Sequence, residues 1–166
     1  MTMARWYPLE SADSTVFDTA PHVFHYQAHY DAPPDVVWAS LASDHSLADW
    51  GPSVHEVSWT TPRPFGIGTT RDVALPLGVA RVRERFFRWD EGSGCSFYVY
   101  EANAPLFRRF AEDYVVTADG IGTKFSWTVA IEPRHALRLP FQVLAPAIKA
   151  GFGRMAADGR KYFADH

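Results

Sequence analysis

Residues 123–162 read TKFSWTVAIEPRHALRLPFQVLAPAIKAGFGRMAADGRKY, and the fold turns on the change of period inside them. Up to Ile131 the apolar side chains alternate: Phe125, Trp127, Val129 and Ile131 share one face of a strand. Beyond Glu132-Pro133 the period becomes helical, and Phe141, Leu144, Ile148, Phe152, Met155 and Tyr162 form one stripe. Trp127 is therefore expected to face that helix. Pro140 suits the helix's first turn, whereas Pro146 either kinks the helix or marks its start. Gly151, Gly153 and Gly159 each cost about 1 kcal/mol against Ala in a helix interior. They either admit a close neighbour or leave room on the inner face.

Working upstream, the pattern is β back to residue 54. Strands are expected at 54–59, 69–75, 79–89, 95–101, 107–117 and 123–131. Gly78, Gly92-Ser93-Gly94 and Asp119-Gly120 supply tight turns, so successive strands form an antiparallel meander. A first strand covers 22–31. After it, Asp31-Ala-Pro-Pro-Asp opens a short helix with Val37, Leu41 and, as a further candidate, Trp38 facing inward. A second short helix follows, capped by Ser43 or Asp44, with Leu47 and Trp50 inside and Gly51-Pro52 as its stop. Residues 1–20 lack periodicity and read as an N-terminal arm or a frayed end, leaving residues 21–166 as one domain.

A chain of 166 residues can bury about 70 % of its unfolded surface, enough for a sizeable core. Aromatic residues reach 15 %, with 12 Phe, 7 Tyr and 6 Trp, which suits either a thick core or a pocket for a flat apolar guest. The net charge of −3 argues against a nucleic-acid partner. One cysteine, Cys95, excludes an internal disulfide and sits in an apolar strand pattern as an inert buried thiol. The first residues, MTMARWYPLESADSTVF, have no apolar run of signal-peptide length, and no segment approaches a membrane span. A cytoplasmic protein without stable membrane insertion is expected.

No metal site and no cofactor are expected. His25 and His29 share a strand face but lie ~13 Å apart along it, too far to ligate one ion. No Gly-x-Ser-x-Gly elbow, phosphate-binding loop or dinucleotide fingerprint is present.

The stretch Ala32-Pro-Pro-Asp-Val-Val-Trp-Ala-Ser-Leu-Ala-Ser, with Leu47-Ala-Asp-Trp-Gly-Pro, resembles the opening of a START-like protein of the polyketide cyclase/dehydrase and lipid-transport superfamily. Gly66-Ile-Gly-Thr-Thr-Arg, Val82-Arg-Glu-Arg-Phe-Phe-Arg-Trp and Gly122-Thr-Lys-Phe-Ser-Trp-Thr-Val resemble its middle strands. The resemblance covers residues 22–164. It implies an α+β helix-grip fold: a curved antiparallel sheet of about six to seven strands wrapped around a long C-terminal helix, with two short helices after the first strand. It also implies an internal cavity between sheet and helix that binds a hydrophobic small molecule, whether lipid, polyketide or other aromatic or alicyclic metabolite. The alternative it implies is a polyketide cyclase/dehydrase-type enzyme using a cavity carboxylate and a tyrosine as acid and base. Scaffold motifs do not choose between them.

Alternation nominates the cavity residues. Arg81, Arg83 and Arg85 share a face of the 79–89 strand and are expensive to bury, which turns Val82, Glu84 and Phe86 inward. An inward carboxylate needs a partner, and Arg71 on the preceding strand is the one expected. That pair reads equally as a structural ion pair, a polar anchor or an acid/base group. Glu112 is a weaker catalytic candidate. Tyr98, Tyr114 and Trp127 are taken as wall residues, although either face of the 95–101 strand could point inward. Ile148 and Phe152 complete the wall from the helix. The outward arginines, with Arg88, Arg108 and Arg109, read as a solvated strip paired to acids. Oligomeric state is left open.

Overall fold

A computed structural model describes residues 4–78 and 80–166, so the expected strand start at Val79 and the first three residues of the arm lie outside the described residues. Seven strands, β2 (His22–Tyr30), β3 (Glu56–Trp59), β4 (Thr70–Ala74), β5 (Arg81–Asp90), β6 (Gly94–Ala102), β7 (Phe107–Asp119) and β8 (Gly122–Pro133), form one antiparallel sheet. Their order is β2-β8-β7-β6-β5-β4-β3, the meander with the first strand added beside the last. The long helix α3 (Arg138–Asp165) lies in the concave face. Phe141 packs at 4.6 Å on His22, Phe152 at 5.5 Å on Trp127, and Phe163 at 5.2 Å on Tyr30.

Neither short helix is capped by the side chain of its N-cap residue, which is Pro33 in the first and His45, not the expected Ser43 or Asp44, in the second. Pro34 opens α2 (Pro34–Leu41), where its missing N–H leaves no bond unmade, and Val37, Trp38 and Leu41 are buried. In the 3-10 turn Ser46–Asp49, the backbone N–H of Ser46 donates to Ser43 Oγ at 2.9 Å, and Leu47 and Trp50 point inward.

Helix α3 begins at Arg138 and runs through Pro146. Pro146 and Gln142 are both exposed, so the Gln142 carbonyl that loses its helical donor can turn to water. The apolar stripe differs from expectation at Leu144, which is 56 % exposed; Ala145 takes its place against the core. Of the three helix glycines, Gly159 is the one that close packing demands. A Cβ there would stand 2.6 Å from Tyr30 Oη and 2.7 Å from Trp50 Cε3, both in the core. A Cβ at Gly151 would meet nothing within 4 Å. We expect Gly159→Ala to lose about 1–2 kcal/mol, as overpacking outweighs the better helix propensity. Gly151→Ala should gain up to about 1 kcal/mol. Urea midpoints at unchanged slope would show both.

The arm is part of the sheet. Beyond Tyr98, β6 no longer pairs with β7, and residues 7–10 enter the wedge. Strand β1 (Tyr7–Pro8) pairs with Ala102 and Glu101, Leu9 N–H donates to the Tyr100 carbonyl, and Glu10 N–H donates to that of Arg108. Helix α1 (Val16–Thr19) then lays Val16 and Phe17 on the convex face, against Tyr98, Ala111, Ala130 and Phe87. Much of the expected arginine strip is paired: Arg83 to Asp72 and Glu101, Arg88 to Asp90 and Asp113, Arg108 and Arg109 to Glu132. Among the described residues no helix is long and apolar enough to cross a membrane.

Candidate functional site

Antiparallel register brings the inward residues of four strands side by side. Arg71 on β4 is the cross-strand partner of Glu84 on β5, and Arg71 Nε donates to Glu84 Oε2 at 2.6 Å. Both side chains are sealed from solvent, at 2 % and 6 % exposure. Arg71 Nη1 reaches Ser46 Oγ at 3.3 Å, and the guanidinium carbon lies 4.7–5.2 Å from the rings of Phe97, Phe86 and Trp59. Burial works against the guanidinium's charge, but the Glu84 carboxylate beside it more than compensates, so Arg71 is held charged. Burial holds the Glu84 carboxyl above its usual range, and Arg71 pulls it back only in part.

One strand further, Glu112 on β7 is buried as well. Its Oε2 accepts two hydrogen bonds, from Tyr114 Oη at 3.0 Å and from Trp127 Nε1 at 2.9 Å. Burial, with the Glu84 charge added, pushes Glu112 up to about 8, against the donors Tyr114 and Trp127 and the Arg71 charge. At pH 7, below its value of about 8, Glu112 is mostly a neutral acid, while Glu84 faces the Arg71 charge. Burial and Glu112 also keep Tyr114 a neutral phenol.

Of the residues nominated from sequence, Arg71, Glu84, Phe86, Glu112, Tyr114 and Trp127 meet on the concave face. Phe152 joins them from α3 through the Trp127 ring, and Ile148 packs half-buried beside it. Tyr98 does not. It faces the convex side beneath α1, and Phe97 takes the inward place, 5.2 Å from Tyr114. The register decides this: Glu84 pairs with Val99 and Phe86 with Phe97, so an inward Glu84 fixes Phe97 and Val99 inward.

The open cavity expected between sheet and α3 is filled by the rings of Tyr26, Phe110, Trp127 and Phe152. An internal space remains instead under α2. It measures about 10 Å³, room for about one water, and is lined by Trp38, Trp59, Arg71, Phe86, Trp89 and Tyr114, with Cys95 at its edge. Burial pushes the Cys95 thiol up to about 12, so it stays protonated and inert. A wider cleft of about 250 Å³ opens between α2 and the end of α3, around Val36, Asp49 and Tyr162. None of the buried ionisable groups lines it, and the chemistry points to the inner space. Trp59 and Trp89 were not among the sequence candidates. A β-bulge at Phe87 shifts the pairing between Phe86 and Arg88, which turns Trp89 inward, and strict alternation gives no sign of it.

Comparison with known proteins agrees with this architecture. A protein of Thermus thermophilus superposes with a TM-score of 0.71 at 16 % identity, covering 87 % of this chain and 98 % of that one. Ginseng major latex-like protein 151 from Panax ginseng superposes with a TM-score of 0.60 at 14 % identity, covering 82 % and 97 %. At such identities the likeness is one of fold. Uncharacterised proteins of Mycobacterium tuberculosis and Mycobacterium bovis are 30 % identical over 156 residues, 94 % of this chain and 93 % of theirs. The family described as polyketide cyclase / dehydrase and lipid transport matches residues 21–160, and the chain belongs to that family.

Proposed function

We propose that the protein binds a hydrophobic small molecule on the concave face of its sheet, with the molecule's polar end at Arg71, Glu84 and Glu112. The observation that carries this reading is the burial of an ion pair and a second carboxyl beside the inner space. Apolar residues of like volume in place of a buried ion pair are often neutral or stabilising, so stability alone does not account for it. Yet Arg71, Glu84 and Glu112 are buried together on the concave face, Arg71 lines the inner space, and aromatic rings supply the surrounding apolar surface. A few polar groups that orient a guest within an apolar wall are the usual make-up of a ligand site. Because the interior is nearly filled, a guest must displace side chains, and its affinity is reduced by the small population of the open form.

A second reading, acid/base catalysis on a ring or polyketone, draws on Glu112. A buried carboxylic acid with a value near neutrality, holding its proton beside a neutral phenol, has the properties of a general acid.

Titration with cis-parinaric acid and 1-anilinonaphthalene-8-sulfonate tests the first reading. Saturable one-to-one binding and a melting temperature that rises with probe concentration are expected. Unsaturable fluorescence with an unchanged melting temperature contradicts it. Catalytic consumption of a bound compound, abolished in Glu112→Gln, would select the second reading.

A further inference from the structure

The first half of α3 is apolar on both sides. Phe141, Ala145, Ile148 and Phe152 face the core. On the opposite side Leu139, Val143, Ala147 and Ala150 recur at helical spacing and are all exposed, Leu139 at 74 % and Val143 at 80 %. Leu144, on the flank, is exposed as well. A helix that is apolar all round is normally covered all round, and an exposed apolar patch of this kind marks an interaction surface. The patch continues onto the loops at the same end of the sheet. The Leu106 carbonyl accepts from the Arg134 N–H at 3.0 Å, which sets exposed Leu106 beside the start of α3. Asn103 is bonded both ways to the Arg81 backbone, which brings the β4–β5 turn to that end. There Leu77 is 97 % exposed, at a φ of 62° that leucine rarely adopts.

The charge around the patch has one sign. Residues 133–157 contain Arg134, Arg138, Lys149 and Arg154 and no acid, in a chain of net charge −3. Arg154 continues the outer stripe beyond Ala150, while Arg138 and Lys149 lie on its flank, about three turns apart. None of these three is ion-paired among the described residues.

We propose that the outer face of α3, from Leu139 to Arg154, docks on an anionic lipid surface. The helix lies in the plane of the interface, with Leu139, Val143 and Leu144 among the acyl chains. Arg138, Lys149 and Arg154 reach the headgroup phosphates on their long stems. Two features favour a bilayer over a protein. The exposed patch is purely aliphatic on the outside of a helix, whereas protein interfaces are enriched in aromatic side chains. A two-fold pairing with a second copy would set cations against cations, with no acid in 133–157 to answer them. Docking by this face does not depend on a guest in the interior.

The test is flotation of the full chain with vesicles of phosphatidylcholine alone or with about one third phosphatidylglycerol. The chain should bind the mixed vesicles, about tenfold or more weakly the neutral ones, and less in about 1 M salt, which screens the charges. Leu139→Glu with Val143→Glu changes only exposed side chains, so the melting temperature should hold while binding falls about hundredfold. Arg138→Gln, Lys149→Gln and Arg154→Gln should each weaken binding about fivefold. Cys95 is buried and inert, so Val143→Cys takes a polarity-sensitive thiol dye at one place. Its emission should shift to the blue on the mixed vesicles. The same dye on Ile121→Cys, in the β7–β8 turn at the other end of the sheet, should not respond. Binding that survives the two glutamates, equal binding to neutral vesicles, or an equal response at 121 overturns the proposal. Sedimentation of a dimer that the glutamates dissolve, without vesicle binding, assigns the face to a second copy instead. A chain that stays monomeric and ignores both vesicles also overturns it, in favour of an acidic protein partner.

Discussion

Arg71→Met should destabilise the protein at pH 7 on the order of 3–5 kcal/mol, a large share of the stability of a domain this size. The substitution keeps most of the apolar stem but removes the charge that sits 2.6 Å from Glu84. Glu84, at 6 % side-chain exposure, is then left as a buried carboxylate without a counter-charge and must either unfold the region or take up a proton. The loss should therefore shrink as pH falls from 7 toward the ordinary carboxyl value of 4.5, because the unfolded chain then also takes up the proton that the buried carboxyl needs. Adding Glu84→Leu should recover most of it, because an apolar pair replaces the ionic one. Chemical denaturation of the three proteins at pH 4.5 and 7 measures all of this. A single variant that loses no more than the roughly 0.5 kcal/mol of a surface substitution would show that the ion pair is not buried as described.

Glu112→Gln is expected to stabilise the protein above neutral pH. The folded value of about 8 exceeds the ordinary 4.5, so between these values the native state holds a proton that the unfolded chain has released. Unfolding then releases protons, and stability falls as pH rises through this window, levelling off above about 8. Gln cannot titrate, yet it still offers an oxygen to Tyr114 and Trp127. The variant should match the parent near pH 5 and exceed it at pH 8.5 on the order of 3–5 kcal/mol. Thermal melts across pH 5–9 should diverge accordingly. Parallel curves would mean that Glu112 is already ionised in the native state, and the acid/base reading would lose its support.

How much of this was legible in the sequence depended on whether a residue's two neighbours in space were its neighbours in pattern. The 123–131 strand and the helix behind it declared themselves because one face of each is apolar and the other is not. Glu84 was readable for the converse reason: three arginines on the opposite face left it nowhere else to point, and cross-strand pairing then supplied Arg71. Strand β6 was ambiguous because both of its faces are covered, the inner by the core and the outer by the N-terminal arm. Tyr98 and Phe97 therefore look alike in sequence, and only the pairing of β6 with β5 separates them. The tryptophans around the inner space were hidden further. Trp38, Trp59 and Trp89 come from a helix, a short strand and a bulged strand, and no periodicity links them. Leu144 shows a stripe overextended: the spacing is helical, but the side chain falls on the flank of α3 and stays exposed.

Binding of a hydrophobic guest on the concave face is tested most directly by native mass spectrometry of the protein purified from the organism that makes it. Extraction and identification of anything bound would follow. A discrete co-purifying mass of one small apolar molecule per chain, lost in Arg71→Met, is the result predicted. A clean ligand-free mass, together with no change on incubation with an extract of the same cells, would contradict it.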